Sequence, residues 1–217
     1  MRTSNGLLGF GILFALTSCA QSEVTETTLL DQELADIQKM LTGEYAGQAP
    51  KGFTPSGERQ DLVHAFQPVD LPQFGDDVIY YQIKSGEPEK SILQAKIFVF
   101  SDDPEREANT MRAFVLTSQQ AEALHESGKG GWTALEPNTL MSFPDTCFFT
   151  WGREGNGFTA HGSDKCSYPS RAFKQTIQPE MRYRISDTQF TMEETLRGED
   201  GEAIVTTGGP LVSERIR

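Results

Sequence analysis

The sequence predicts a mainly β, antiparallel fold whose strands close into a barrel, with one helix near the start. Segments rich in aromatic and β-branched residues follow one another, separated by short Gly, Pro, Asp or Asn stretches that suit antiparallel hairpins. Helix-length segments do not alternate with these strands, which argues against a parallel sheet. Many hairpin-linked strands in one domain favour a barrel, because closure removes exposed edges. The predicted strands are 78–84, 91–100, 111–116, 147–151, 157–161, 181–186, 189–196 and 202–205.

Helices are predicted at two places. In residues 28–43, apolar side chains recur at helical spacing until Gly43 ends the pattern. A second, short helix is predicted over residues 118–127, where Thr117 begins a capping box that Gln120 completes. The apolar positions of the first helix are Leu30, Leu34, Ile37 and Leu41.

The first eighteen residues have the layout of a secretory signal. Arg2 is their only charge, and an apolar stretch at 7–16, too short to span a bilayer, is followed by small residues. The tetrapeptide LTSC at 16–19 matches the lipobox of bacterial lipoproteins, in which the cysteine thiol is acylated. We therefore predict a signal peptide at 1–18 and lipid attachment at Cys19. The alternatives are an ordinary secreted protein and a chance cysteine beside an apolar segment.

The predicted lipid anchor sets the expected location. Two or three acyl chains anchor a protein firmly, and Ala20 rather than Asp after the cysteine favours the outer membrane. We expect an exported protein held by its lipid at the periplasmic face of that membrane. Residues 19–28 are expected to form a lipidated tether and residues 29–217 the barrel domain. The formal net charge of −12, without clustered Lys or Arg, argues against nucleic acid as a partner.

The remaining two cysteines, Cys147 and Cys166, form an even pair. Because free thiols oxidise outside the cytoplasm, we expect a disulfide between them. A reactive or metal-binding thiol pair is the alternative. The chain has no CxxC spacing and its histidines are scattered, so no metal site is predicted.

Several blocks of sequence resemble one known family. The block CFFTWGREGNGF (147–158), followed by Cys166, is similar to the signature of the CpcT/CpeT chromophore lyase family. LTGEY (41–45) resembles the family's opening motif, and VIYYQIK (78–84) its aromatic-rich strand. SDTQF (186–190) and LRGEDGEAIVTTGGPLVSERI (196–216) resemble its ending. The single residues that carry the match are Trp151, Arg153, Gly155, Phe158 and Gly198.

The resemblance implies a lipocalin-like (calycin-type) antiparallel β-barrel with a short N-terminal helix. It also implies a chromophore lyase, which binds a linear tetrapyrrole (a phycobilin) and attaches it to a cysteine of a phycobiliprotein. The bilin would be substrate or ligand, no other cofactor is expected, and the acceptor protein is unknown. One alternative is a non-catalytic envelope lipoprotein that carries an amphipathic small molecule in its barrel. Another is a structural protein whose barrel is filled by side chains.

The candidate ligand-binding residues lie on three predicted strands. Strand 181–186 and the stretch 190–197 alternate apolar with polar residues, most of them charged. If the polar faces point inward, each guanidinium group could hold a carboxylate of the ligand through two hydrogen bonds. The alternative is that these faces are the solvated outside, which is the default for antiparallel sheets. The candidates are Tyr80 and Tyr81, which point to opposite faces so that one lines the interior, and Arg182, Arg184, Glu193 and Arg197.

The aromatic residues of the family signature are predicted to have a structural role. Trp151 and Phe158 flank a predicted hairpin turn close to the cysteine pair. We expect them to pack against the disulfide rather than to bind a ligand.

Overall fold

The computed structural model describes residues 21–49, 60–85, 91–127 and 132–217. The predicted signal peptide at 1–18 and the predicted lipidation site Cys19 lie outside the described residues. Helix α1 is Gln21–Leu41 and helix α2 is Ser118–Ser127, with a single 3₁₀ turn at Pro137–Thr139. Residues 21–28 belong to α1, and the lipidated tether at residues 19–28 stays a prediction.

Among the described residues, thirteen strands follow α1. They are β1 Gly43–Ala49, β2 Gln60–Pro68, β3 Asp77–Ser85, β4 Ile92–Asp103, β5 Ala108–Leu116, β6 Met141–Ser142, β7 Phe149–Glu154, β8 Gly157–Gly162, β9 Tyr168–Ser170, β10 Gln175–Ile185, β11 Gln189–Arg197, β12 Ala203–Thr206 and β13 Leu211–Arg215.

Ten of these strands close into a barrel. Their order is β11-β13-β1-β2-β3-β4-β5-β7-β8-β10, and β10 pairs again with β11 to complete the circle. Every pairing between the described strands is antiparallel. The predicted mainly β, lipocalin-like antiparallel barrel with an N-terminal helix is thus confirmed.

The seam between β1 and β13 joins distant parts of the chain. Tyr45 of β1 is paired with Arg215 of β13, and the Glu44 amide donates to the carbonyl oxygen of Arg217 at 3.1 Å. The Arg215 guanidinium also donates to the Thr42 carbonyl at 2.9 Å and to the Met40 carbonyl. These bonds satisfy carbonyls that the end of α1 leaves free.

Apolar side chains fill the barrel interior. A stack of aromatic rings crosses it, with Tyr81 lying 4.6 Å from Phe66 and 5.1 Å from Phe98, centroid to centroid. Helix α1 contributes Leu34 and Ile37 to this core, as its predicted apolar stripe requires. A second apolar cluster lies outside the barrel, where α2 covers β3, β4 and β5.

Arg153 attaches α1 to the barrel. Its Nε lies 3.4 Å from Glu33 and its Nη2 lies 3.2 Å from Asp36, both on α1. The same guanidinium stands 4.5 Å over the ring of Phe158. Exposed ion pairs contribute little singly, but this geometry orients the helix over one end of the barrel.

The β7–β8 hairpin turns on two residues, beginning with Gly155. Gly155 has a φ of +61°, which glycine adopts without strain. Two residues later the chain passes very close to β10, since a Cβ on Gly157 would lie 2.1 Å from the carbonyl oxygen of Ile185. Only glycine fits there.

Candidate functional site

The charged residues predicted to line the barrel lie on its outer face. Arg182 and Arg184 alternate along β10 with Tyr183, whose side chain is buried in the core. Glu193 and Arg197 have the same outward parity on β11. Of the two alternatives for these four residues, the structure shows the solvated outside. Their role in binding a ligand stays a prediction without support from their position.

Ion pairs occupy this outer face. Arg197 holds Glu180 with two hydrogen bonds of 2.7 and 3.0 Å, which lower the pKa of the Glu180 carboxyl. Arg184 lies 3.7 Å from Glu154. A hydrogen bond from the Thr159 hydroxyl, together with nearby positive charge, lowers the pKa of Glu154. These charges face one another on the surface, where Glu180, Arg182 and Glu193 border an open groove.

The two adjacent tyrosines of β3 point in opposite directions, as predicted. Tyr81 lies in the core, and Tyr80 lies outside, with its ring 4.6 Å from that of Trp132 under α2. Neither position by itself indicates a ligand contact. Tyr81 also accepts or donates a hydrogen bond of 2.8 Å with Nδ1 of the buried His64.

The residues of the resembling motif have structural positions. Trp151 packs in the core, 6.3 Å from Phe100, and Phe158 lies beneath Arg153 near α1. They belong to the α1 end of the barrel, so the expectation that they pack against the disulfide is corrected. Gly198 lies in the β11–β12 turn, where a Cβ would come within 2.7 Å of the Gln175 side-chain oxygen.

The predicted disulfide is present. Cys147 and Cys166 are bonded, with Cα atoms 4.4 Å apart. The bond joins the segment before β7 to the segment after β8. Since β7 runs from this bond to Arg153, the disulfide and α1 lie at opposite ends of that strand.

A small cavity lies beside the disulfide. Its volume is about 30 Å³, enough for one or two ordered water molecules. The wall is mostly apolar. Lys96 and Tyr183 also line it, and each carries a polar group that could react or form hydrogen bonds. Its other lining includes the disulfide itself, Phe148, Phe149, Tyr168 and Met181.

Lys96 is a buried amine without a fixed partner. The residue is only 7% exposed. The described residues provide no hydrogen bond to its amine and no carboxylate oxygen within 4.0 Å of it. Burial lowers the pKa of Lys96, and the negative charge of Glu194 opposes that shift. Lysine is almost never fully buried unless it is paired, so this position calls for a partner of opposite charge or for a neutral amine.

Two phenols and one carboxylate share the inward side of the barrel wall with Lys96. Tyr81 stands opposite Lys96 in the β3–β4 ladder, and Glu194 follows Met192 on the inward parity of β11. Burial, reinforced by Glu194, raises the pKa of Tyr183 and that of Tyr81, so both phenols keep their protons.

The sequence analysis did not single out this polar set. Lys96 is the one charge in the run QAKIFVF, and an isolated lysine there was the only available signal. Within the described residues, no three metal-binding side chains come together. The described helices include none with the length and hydropathy needed to cross a membrane.

Comparison with known proteins identifies the fold and no more. No family model matches the chain. No curated protein matches it in sequence either. The structure is similar to that of the CRL protein of Arabidopsis, with a TM-score of 0.62 and 9% identity over 85% of this chain and 97% of the other. It is also similar to the T-type phycobiliprotein lyase CpeT from Prochlorococcus phage P-HM1, with a TM-score of 0.48 and 6% identity over 85% and 98% of the two chains. The likeness to the CRL protein shows a shared barrel fold, and membership of the CpcT/CpeT family stays a prediction from the motifs.

Proposed function

We propose that the barrel binds a small amphipathic molecule that carries a carboxylate. The carboxylate pairs with Lys96, and the apolar part packs against the wall beside the disulfide. One observation supports this above all: Lys96, a buried residue that lines a mostly apolar cavity, has no hydrogen-bond or ion-pair partner for its amine among the described residues. Desolvating an unpaired charge is costly, so an anion that enters would offset that cost.

The size of the cavity limits how such a ligand binds. Pockets for small molecules usually measure about 300–1,000 Å³, roughly ten times or more the space present here. Binding therefore requires side chains to move. Met181 is suited to this, because its unbranched thioether adopts many shapes. The segments around Cys147 and Cys166, which the disulfide joins, form another part of the wall and also have to shift.

A linear tetrapyrrole is the most specific ligand of this class. It is amphipathic and carries two propionates, and the resemblance to chromophore lyases is the reason to test it first. In a lyase the attacking thiolate would belong to the acceptor protein, which agrees with Cys147 and Cys166 being bonded to each other. The filled interior favours the competing hypothesis of a structural barrel, and a binding experiment decides between them.

Replacing Lys96 with methionine is expected to abolish most binding. Biliverdin and oleate are titrated separately into the purified protein. Binding of biliverdin is measured by its absorbance, and binding of oleate by displacement of a fluorescent fatty acid. Saturable binding is expected below about 100 µM, an affinity of roughly −5.5 kcal/mol. Lys96→Met should weaken it by about 1.5–3 kcal/mol, the contribution of a charge-assisted hydrogen bond. The matched control is Lys84→Met, which removes an outward-facing lysine 3.9 Å from Glu44.

The same variants test folding. Lys96→Met removes a buried charge, so its free energy of unfolding should equal or exceed that of the parent. Equal affinity in Lys96→Met and the parent, or no saturable binding of either ligand, would leave the structural barrel as the better description. Binding of biliverdin without oleate would point to a tetrapyrrole, and binding of both to a general carrier of amphipathic acids.

We also propose that the protein is exported and anchored through lipid at Cys19. Cys19→Ser should leave an unprocessed or soluble form, because serine lacks the nucleophilic thiol. Ser18→Ala is the control, since it keeps a small neighbour and should be processed as the parent is. Phase partitioning in detergent and the mass of the N-terminal peptide measure both. A Cys19→Ser protein that is cleaved and partitions into detergent like the parent contradicts lipidation.

A further inference from the structure

We propose that Lys96 captures aldehydes that enter the barrel, as a Schiff base on its amine. This inference deepens the proposed function, because it rests on ligand entry to the same cavity. It differs in the bond formed, which is covalent rather than ionic. The substrate class is an amphipathic aldehyde, whose chain would occupy the apolar wall.

The position of Lys96 suits a nucleophilic amine. Lysine reacts with carbonyl compounds as the neutral amine, and a hydrophobic surrounding favours that form. The Lys96 amine borders a cavity whose wall is mostly apolar. The described residues do not tie its nitrogen to a hydrogen-bond acceptor or to a carboxylate within 4.0 Å. Lys165 and Lys174 are instead exposed to solvent and border no apolar wall of this kind.

Tyr183 is placed to assist the carbonyl. It lines the same cavity as Lys96, and its side chain is buried. Burial raises the pKa of this phenol, so it stays a hydrogen-bond donor. A donor directed at the carbonyl oxygen stabilises the charge that develops there when the amine attacks.

The reaction balances without any further reactant. The amine nitrogen forms a bond to the carbonyl carbon, and the C=O π electrons move to oxygen. A proton passes from nitrogen to that oxygen, which gives a carbinolamine. The carbinolamine then loses water as the nitrogen lone pair forms the C=N bond and the second nitrogen proton leaves with the oxygen. One amine and one aldehyde thus yield one imine and one water.

Reductive trapping tests the proposal. The purified protein is incubated near neutral pH with octanal and cyanoborohydride, which converts an imine into a stable secondary amine. Peptide mass mapping then gives the modified fraction of each lysine over time. We expect Lys96 to be alkylated at least about tenfold faster than Lys165 or Lys174, because a hydrophobic surrounding favours the nucleophilic neutral amine and the apolar wall holds the octanal chain. Acetaldehyde, which lacks the apolar chain, should show much less preference for Lys96.

Two variants test the roles of Tyr183 and Lys96 in this reaction. Tyr183→Phe should slow labelling of Lys96 about tenfold while leaving labelling of Lys165 unchanged, since only the cavity reaction uses the phenol. Lys96→Arg keeps a positive charge but forms no imine, so octanal labelling at this position should vanish while oleate affinity is retained within a few fold.

The outcomes separate this inference from the proposed function. Labelling of Lys96 no faster than that of Lys165 overturns the inference. If oleate or biliverdin still binds in that case, the carboxylate-binding function stands alone. Rapid labelling that Tyr183→Phe does not change overturns the part assigned to Tyr183 and retains the imine.

Discussion

Reduction of the Cys147–Cys166 disulfide is expected to lower the melting temperature by about 6–12 °C. The bond joins residues 19 apart in sequence, and a loop of this length is worth roughly 3 kcal/mol in the chain-entropy model. In a protein of this size each kcal/mol shifts the melting temperature by about 2–4 °C. Thermal unfolding followed by circular dichroism, with and without reductant, measures the change.

The double variant Cys147→Ala/Cys166→Ala supplies the control. It should melt at about the temperature of the reduced parent, and reductant should leave its transition unchanged. Because both cysteines border the cavity, biliverdin or oleate should also bind and dissociate faster in the variant. Equal melting temperatures for oxidised and reduced parent would contradict a stabilising bond.

The second large effect is the loss of stability on acidification, which we assign to His64. Burial lowers the pKa of this side chain from 6.5 to about 4. Above pH 6.5 neither the folded nor the unfolded state holds the proton, so His64 contributes no pH dependence there. As the pH falls from about 6.5 to about 4, His64 binds a proton in the unfolded state but not in the folded state. The free energy of unfolding should then fall by roughly 3 kcal/mol.

Comparison of histidine variants isolates this effect. His64→Gln can keep a hydrogen bond to Tyr81 and does not titrate, so its stability should vary less between pH 6.5 and pH 4 than that of the parent. His125→Gln and His161→Gln change exposed residues and should follow the parent curve. Urea unfolding at several pH values gives the curves. A His64→Gln curve parallel to that of the parent would show that His64 is not the cause, with carboxylates such as Glu180 as the remaining source.

The alternation of side chains predicted the strands but could not say which face is inside. Arg182 and Arg184 were correctly separated from Tyr183 by the period of two. Choosing the inward face requires the position of the neighbouring strands, which local sequence does not contain. In the structure the apolar face of each strand points inward, as hydrophobic burial favours.

Lys96 was missed for a related reason. Helix α2 covers the outside of β4, so Ile97 faces an apolar cluster there while Phe98 faces the barrel core. A strand buried on both faces has no polar alternation, and its sequence therefore does not indicate on which side a single lysine lies. The cavity beside Lys96 is formed by segments far away in sequence, which no local pattern predicts.

Strands β1 and β2 were also missed, and α1 begins earlier than predicted. The sequence of β1, GEYAGQA, has a single aromatic residue and no β-branched one, so its propensity for a strand is low. It is a strand because Tyr45 fills the core and its backbone pairs on both sides. The polar start of α1 lacks an apolar stripe, and periodicity alone gives no reason to extend the helix to Gln21.

The seam between β1 and β13 has a consequence for the timing of folding. Its partners Tyr45 and Arg215 are 170 positions apart, so the circle cannot close on a ribosome or in a secretion pore until residues 211–215 have emerged. Until then β1 and β11 both lack a neighbour, and open strand edges invite pairing with other chains. Before β13 is in place, a partner that covers the open edge of β1 would protect the chain from such pairing.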